Sequence, residues 1–288
     1  MVNIERKLMN SSYAGGPIVV GVDGSRAALD AVRLAVAEAQ ERHSSLRLVH
    51  VISPHPQPET VYGAPDVDGD YGRTVLGEAV HAAAEIDSSV LVETVVLHGQ
   101  PESAILAEAK SARLLVLGIS QGHALTERVL RSTVFTLVES SVCPVLIVRE
   151  CSTGSDGAVV VALGDAEVLE SDVVVAEAFR EASSRKADVL AIHTRSISEV
   201  VAHVIGGANA NVAPESPMDA RLESFRDDYP TVRCSTVYAE AGSGSELVAV
   251  SGTARLLVVG HERGRTCGST LTTVLRRAEC PVLVVPHA

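Results

Sequence analysis

The chain has 288 residues, which is enough for one large domain or two domains of medium size. Hydrophobic residues make up 46% of it and charged residues 21%, a composition typical of a folded globular protein and not of a mainly disordered one. The formal net charge of −12, from 24 basic and 36 acidic side chains, repels phosphate backbones and anionic lipid. We therefore expect no nucleic acid and no membrane among the partners of this protein.

The cysteines and the apolar runs indicate where the protein works. Its five cysteines are an odd number without a Cys-x-x-Cys pair, which is typical of reduced thiols and not of a disulfide framework or a zinc site. Residues 1–16 contain charges but no apolar core of a signal peptide, and no apolar run reaches the ~18 residues of a spanning helix. The sequence therefore predicts a soluble, cytoplasmic protein.

Taken in chain order, the predicted elements of the first half recur in the second half. The paired blocks are the strands at 18–25 and 159–165, the helices at 35–39 and 178–182, the strands at 48–51 and 191–194, the strands at 113–118 and 255–260, and the closing strands at 143–148 and 280–285. Five blocks in the same order indicate a tandem duplication. The predicted domains are residues 1–150 and 151–288, with the seam near Glu150 to Asp156.

Each half alternates between predicted strands and predicted helices. The strands are continuous apolar runs, as expected where both faces of a sheet are covered. The first helix carries apolar residues at three- and four-residue spacing behind Ser25, its predicted N-cap. Such alternation predicts an α/β fold with parallel sheets. The connections Ser53–Tyr71 and about Ile197–Pro217 are predicted as long loops.

Short motifs mark both halves of the chain. In the first half they are Val-Asp-Gly-Ser at 22–25, Leu-Val-His-Val-Ile at 48–52, Gly99-x-Pro101 followed by Ile105, Leu-Val-Leu-Gly at 115–118, and Cys-Pro-Val-Leu-Ile-Val at 143–148. Their order and spacing, seen twice from about Pro17 to Pro286, resemble the universal stress protein family in its tandem two-domain form. The resemblance implies two open, Rossmann-like five-stranded parallel sheets with helices on both faces. It also implies a stress-response role, with ATP bound in many members where strands one and four diverge.

A candidate ligand site lies at the carboxyl ends of the first, second and fourth strands, where open parallel sheets bind ligands. Asp23 can accept hydrogen bonds from a ribose or a base edge, Val51 can offer backbone contacts to adenine, and Gly118 permits close approach of a backbone. The alternative is that Asp23 is only a turn or cap residue. Together with the positions that the resemblance implies for phosphate binding, the predicted nucleotide-binding residues are Gly21, Val22, Asp23, Val51, Leu117, Gly118, Gln121, Arg131, Ser132 and Thr133.

The family's phosphate signature is degenerate in the first half. The resemblance implies Gly, two residues, Gly, nine residues, Gly, and then Ser or Thr. Gln121 and Arg131 stand at the second and third glycine positions, before Ser132 and Thr133. Either these side chains obstruct the pocket, or Arg128 or Arg131 supplies the charge that a glycine-rich backbone no longer offers.

The second half departs further from the signature. Gly164 aligns with Asp23, so that the carboxylate is lost or displaced to Asp165. Arg263 replaces a glycine, and the loop after it is five residues shorter than its counterpart. The sequence therefore predicts at most one nucleotide per chain, with ATP in domain 1 and none in domain 2.

The predicted function is a non-catalytic stress-response regulator, not an enzyme, and two alternatives stay open. One is a nucleotide-independent interaction module with decayed pockets. The other is a serine hydrolase, because residues 118–122 match the Gly-x-Ser-x-Gly elbow between a strand and a helix. The residues of such a triad would be Ser120, Asp165 or Asp188, and His261 or His287.

The remaining motifs predict structure or assembly. No P-loop and no metal-ligand spacing occurs, His50 and His193 are predicted as packed structural residues, and Cys267 is the thiol best placed for a redox role. The closing strands, 145–148 and 282–285, would leave apolar edges. The resemblance suggests that these edges pair across a twofold within one chain, and we also expect the chain to form a homodimer.

Overall fold

The computed structural model describes residues 15–54, 67–120, 133–150, 156–163, 171–194, 217–239 and 243–287. The chain divides into two compact units, unit 1 (Met1–Cys151) and unit 2 (Ser152–Ala288). No helix among the described residues is long and apolar enough to span a membrane.

Unit 1 alternates between strands and helices. Its elements are β1 (Ile18–Gly21), α1 (Arg26–Arg42), β2 (Leu46–Ile52), α2 (Val67–Ile86), β3 (Val92–His98), α3 (Pro101–Ala109), β4 (Leu114–Ile119), the helical residues 133–140, and β5 (Val145–Arg149). The strands pair in the order β3-β2-β1-β4-β5, and every pair is parallel. This arrangement confirms the predicted open, five-stranded parallel sheet.

Helices cover both faces of the unit 1 sheet, which explains why its strands are apolar without alternation. On one face, Gly118 of β4 lies directly against the backbone of Ala27 in α1. On the other face, Gly21 of β1 faces the side chains of Leu117 in β4 and Ile105 in α3. The core between these layers is mainly aliphatic, with β1 and β4 residues such as Val20 and Leu115 fully buried.

Unit 2 repeats the same order of elements. They are β6 (Val159–Leu163), α4 (Ser171–Arg185), β7 (Val189–Thr194), α5 (Pro217–Asp228), β8 (Cys234–Ala239), α6 (Ser243–Ser251), β9 (Leu256–Glu262), α7 (Ser269–Arg277) and β10 (Val282–His287). The strands pair in the order β10-β9-β6-β7-β8, again all parallel. Unlike the described core of unit 1, the core of unit 2 contains an aromatic cluster, in which the ring of Phe179 stacks on Phe225 and packs against Tyr229.

An ion pair with a buried glutamate recurs at the end of the first helix of each unit. In unit 1, Arg42 donates to Glu38 at 2.8 Å with both side chains about 5% exposed or less, and Arg113 donates to the carbonyl of Arg42 at 2.7 Å. The corresponding contacts in unit 2 involve Glu181, Arg185 and Arg255. Each unit thus ties the end of its first helix to the loop before the strand beside it.

The structure corrects one sequence-based expectation about the long connections. The predicted loop Ser53–Tyr71 ends earlier, because α2 already begins at Val67. Residues 55–66 lie outside the described residues, as do residues 195–216 in the second predicted loop. The start of α2 therefore belongs to the carboxyl edge of the sheet and can contribute side chains to the candidate site.

Candidate functional site

The strand order of unit 1 creates a switch point beyond the carboxyl ends of β1 and β4. β1 pairs with β2 on one side and with β4 on the other. The connection that follows β1 therefore leads to one side of the sheet, and the connection that follows β4 leads to the other. Connections that diverge in this way leave a crevice at the carboxyl edge, which is where open α/β sheets bind ligands.

Asp23 lies in the turn at the end of β1 and is exposed. Its Oδ1 accepts a hydrogen bond from the Ser25 amide at 2.9 Å, and the Ser25 hydroxyl in turn accepts one from the Ala28 amide at 3.1 Å as the N-cap of α1. Gly24 between them has φ of +84°, which favours glycine. No described residue donates to Asp23 Oδ2. The carboxylate therefore shapes the turn with one oxygen and presents the other to solvent.

Val22 supports this turn from below. It is 3% exposed, its amide donates to the Val49 carbonyl at 2.8 Å, and its carbonyl lies 2.7 Å from Nδ1 of His50. A carbonyl can only accept, so Nδ1 is the protonated nitrogen of His50. The structural role expected for His50 is confirmed. Val22, expected at the nucleotide, has both backbone groups engaged and holds the turn that carries Asp23; its contact with a nucleotide stays a prediction.

Val51 has the backbone freedom that the sequence reasoning assigned to it. In a parallel ladder, alternate residues direct both backbone groups to the same neighbouring strand. Val49 faces β1, because its carbonyl accepts from Val22, so Val51 also faces that side. β1 ends at Gly21, opposite Val49, and no described backbone group pairs with Val51 there. An adjacent donor and acceptor thus face the crevice.

Two residues of this edge were missed by the sequence reasoning, because Tyr71 was the last residue of the predicted loop and Gly72 directly follows it. The Tyr71 hydroxyl lies over Gly24, 2.9 Å from where a Cβ on that glycine would be, and the Tyr71 ring meets His50 edge-on at 5.9 Å. Gly72 leaves room for the His50 ring, 2.9 Å from where its Cβ would be. Tyr71 remains 56% exposed, so its ring forms a wall beside Asp23.

Gly21, Leu117 and Gly118 lie where the strands β1 and β4 end, but their side-chain positions are occupied by packing. A Cβ on Gly118 would lie 2.3 Å from the carbonyl carbon and oxygen of Ala27. Any larger residue at position 118 would therefore require α1 to move. The Leu117 side chain is 5% exposed and covers Gly21. Close packing of α1 therefore requires a glycine at 118, and the close approach of a ligand at Gly118 stays a prediction.

The phosphate side of the predicted site is only partly described. Gln121, Arg131 and Ser132 lie outside the described residues, whereas Thr133 begins the helical residues 133–140. The Thr133 hydroxyl donates to Oε1 of Glu102 at 2.6 Å. The donor expected for a phosphate therefore already holds a carboxylate, and no sequence motif had indicated Glu102.

Unit 2 has a different carboxyl edge. Gly164 and Asp165 lie outside the described residues. A Cβ on Gly260, the counterpart of Gly118, would meet side chains and not backbone, at 2.9 Å from Cγ2 of Val174 and 3.2 Å from Cδ2 of His287. Arg263 is exposed and donates its amide to the His287 carbonyl at 3.0 Å.

The described residues do not assemble the hydrolase triad from Asp188. Asp188 precedes β7 and pairs with Arg233 at 3.2 Å. Leu256 and Val189 both lie opposite Val159 of β6, so they are at the same height in the sheet. His261 lies five residues beyond Leu256. At about 3.3 Å per residue this places Asp188 and His261 on opposite edges, more than ~15 Å apart, and His287 lies at the same edge as His261. Asp165 lies outside the described residues, and the described part of the chain contains no group of three or more metal-ligating side chains.

The described cysteines differ in exposure. Cys143 and Cys280 precede the closing strands and are buried, and burial raises the pKa of the Cys143 thiol despite its contact with the Ser141 hydroxyl. Cys234 and Cys267 are both half-buried. These two thiols are more accessible to a reagent than those of Cys143 and Cys280.

Comparisons with known proteins find similarity over nearly the whole chain. The family model described as "Universal stress protein family" matches twice, at residues 16–149 and 158–286. A universal stress protein of Mycobacterium tuberculosis is 32% identical over 291 aligned positions, which cover 93% of this chain and 96% of that protein. The crystal structure of a universal stress protein from Archaeoglobus fulgidus superposes with a TM-score of 0.72 at 14% identity, covering 96% of this chain and 98% of that one.

Shorter structures match single repeats. A universal stress protein from Archaeoglobus fulgidus in complex with dAMP covers 47% of this chain and 98% of its own, with 21% identity and a TM-score of 0.37. The two tandem matches of the family model and the full-length relatives agree on one assignment. The chain belongs to the universal stress protein family, with two family domains in tandem.

Proposed function

We propose that this protein is a non-catalytic regulator that binds one adenine nucleoside or nucleotide in the crevice of unit 1. The observation that carries the proposal is the pairing of the exposed Asp23 carboxylate with the open backbone edge of Val51. Membership of a family in which many proteins bind ATP where strands one and four diverge supports the same place.

The polar groups of the crevice match the edge of adenine. A backbone N–H can donate to the ring nitrogen N1, and the adjacent C=O can accept from the N6 amino group, so Val51 can read both. Asp23 Oδ2 can accept from a ribose hydroxyl, because no described residue occupies it. The exposed ring of Tyr71 beside Gly24 offers an apolar wall for the base or the sugar.

Catalysis has no support among the described groups. Asp23 and Ser25 are engaged in capping α1, and neither contacts a histidine. His50 is 7% exposed and its Nδ1 is committed to the Val22 carbonyl. An oriented nucleophile and base, which hydrolysis requires, are therefore missing from the described part of the unit 1 crevice.

Calorimetric titration of adenosine and AMP into the full chain tests the site. Asp23→Ala removes the carboxylate, and we expect the dissociation constant to rise at least about tenfold, the loss of one charged hydrogen bond. Asp87→Ala is the matched control, because Asp87 Oδ1 accepts from the Ser89 amide in the same kind of turn after α2, at the opposite edge of the sheet. Equal affinities for the wild type and Asp23→Ala would refute the site.

The assembly also remains a proposal. We expect a homodimer in which the two repeats of each chain pair through their closing strands, working in the cytoplasm. Light scattering should then give about twice the 30.1 kDa of one chain. A single-chain mass at micromolar concentration would contradict the dimer, but it would not bear on the nucleotide site.

A further inference from the structure

We propose that Glu102, held by Thr133, makes the unit 1 crevice discriminate against phosphate charge, so that its ligand is adenosine or a nucleotide of low charge and not ATP. The inference rests on the proposed nucleotide site and specifies its ligand class. It comes from the hydrogen bond between Thr133 and Glu102, two residues that lie 31 positions apart in the chain.

Glu102 stands at the mouth of the crevice. α3 follows β3 and therefore begins at the carboxyl edge of the sheet. Its buried residue Ile105 faces Gly21, the last residue of β1. Glu102 lies one helical turn before Ile105 on the same face, so its side chain extends beyond the end of β1.

One hydrogen bond and the helix dipole favour the carboxylate there. The Thr133 hydroxyl donates to Oε1 at 2.6 Å, a short distance typical of a hydrogen bond to a charged acceptor. Glu102 also lies in the first turn of α3, where the helix dipole favours a negative charge. The half-buried carboxylate is therefore positioned by one hydrogen bond, and its negative charge is favoured by the helix dipole.

The carboxylates at this edge have no cation to neutralise them within the described residues. Asp23 and Glu102 take part in no described ion pair, and the described residues contain no cluster of three ligands that would hold a divalent ion between them. A phosphate at the Thr133 hydroxyl would lie close to the Glu102 carboxylate that this hydroxyl binds. Each added phosphate charge should therefore weaken binding, whereas the uncharged nucleoside is unaffected.

The experiment is a charge series in the presence of EDTA and at constant ionic strength. Dissociation constants for adenosine, AMP and ATP are measured on the full wild-type chain by equilibrium dialysis. We expect adenosine to bind at least about tenfold more tightly than ATP, with AMP between them. Tighter binding of ATP than of adenosine would overturn the inference, and this comparison needs no variant to fold.

A matched pair of variants assigns the effect to Glu102. Glu102→Gln keeps the size and the hydrogen bond from Thr133, and we expect it to lower the ratio of the ATP and adenosine dissociation constants by about five- to tenfold. Glu78→Gln, an exposed change in the middle of α2, should leave the ratio unchanged. An unchanged ratio in Glu102→Gln would overturn the inference while adenosine binding still supports the site. If no ligand of the series binds the wild type, the proposed function and the inference both fail.

Discussion

Unit 1 and unit 2 share their strand order and the ion pair of a buried glutamate but differ at the carboxyl edge. In unit 1, Glu102 at the start of α3 is held by the Thr133 hydroxyl, and α1 presses its backbone on Gly118. In unit 2 the position of Glu102 is taken by Gly244, which likewise lies three residues before a buried residue, Leu247. Gly244 lies against the side chain of Thr273. The duplicated framework has thus been retained while the groups at the ligand edge have diverged.

The difference shows which parts of the repeat are under structural constraint. The ion pairs of Glu38 with Arg42 and of Glu181 with Arg185 lie at the end of the first helix, far from the carboxyl edge, and occur in both units. Of the groups that could contact a ligand, Glu102 is replaced by Gly244 in unit 2, and the counterpart of Asp23 lies outside the described residues. A site can therefore change on one unit without loss of the fold.

The largest expected effect is a difference in stability between alanine variants of Gly118 and of its counterpart Gly260. Gly118→Ala places a Cβ 2.3 Å from the backbone of Ala27, so we expect the free energy of unfolding to fall by about 3 kcal/mol or more. Gly260→Ala meets the side chain of Val174 at 2.9 Å, which can shift, and should cost about 1 kcal/mol. Urea unfolding of both variants measures the difference. Equal losses would show that the two units pack their first helices alike.

A smaller effect should be the same in both units. Glu38→Gln leaves the buried Arg42 without its carboxylate, and Glu181→Gln does the same to the largely buried Arg185 and to Arg180. We expect each to lose about 2–3 kcal/mol of stability, since glutamine retains one hydrogen bond. Hydrogen exchange followed by mass spectrometry assigns each loss to its unit. The exposed change Glu78→Gln is the control. A loss confined to one variant would mean that the pair supports only that unit.

Thiol labelling distinguishes the units by rate. Burial raises the pKa of the Cys143 thiol, so that the reactive thiolate is suppressed in the folded state up to a pH above the ordinary value of about 8.5. Cys267 in unit 2 is half-buried. At pH 8, iodoacetamide should label Cys267 at least about 100-fold faster than Cys143, as peptide mapping would show. Rapid labelling of Cys143 without denaturant would contradict its burial.

The smallest effect is the alkaline stability of unit 2. Burial among the rings of Phe179 and its neighbours raises the pKa of Tyr229, so the unfolded chain loses this proton before the folded one does. The resulting stability is complete below pH ~10 and is lost as pH rises through the folded pKa. Tyr229→Phe should flatten this dependence in urea titrations between pH 9 and 11. An unchanged slope would show that Tyr229 titrates as in the unfolded chain.

The sequence was sufficient for the fold and for part of the site. Continuous apolar strands, repeated in order, determine the parallel sheets, and the turn chemistry of Asp23 and Ser25 places them at a strand end. The start of α2 was missed because Gly69 and Gly72 weaken its helical pattern, although Gly72 makes room for His50. The contact of Glu102 with Thr133 could not be predicted, because it depends on how two helices meet in the folded unit.

The most direct test is the number of ligands that one chain binds. Native mass spectrometry of the full chain, titrated with adenosine and with AMP, counts them. We expect one bound ligand per wild-type chain at saturation. At a ligand concentration equal to the wild-type dissociation constant, we expect the bound fraction to be at least about fivefold lower in Asp23→Ala and unchanged in the control Asp87→Ala. Two ligands per chain, or an unchanged bound fraction in Asp23→Ala, would contradict the account that the unit 1 crevice binds and the unit 2 edge does not.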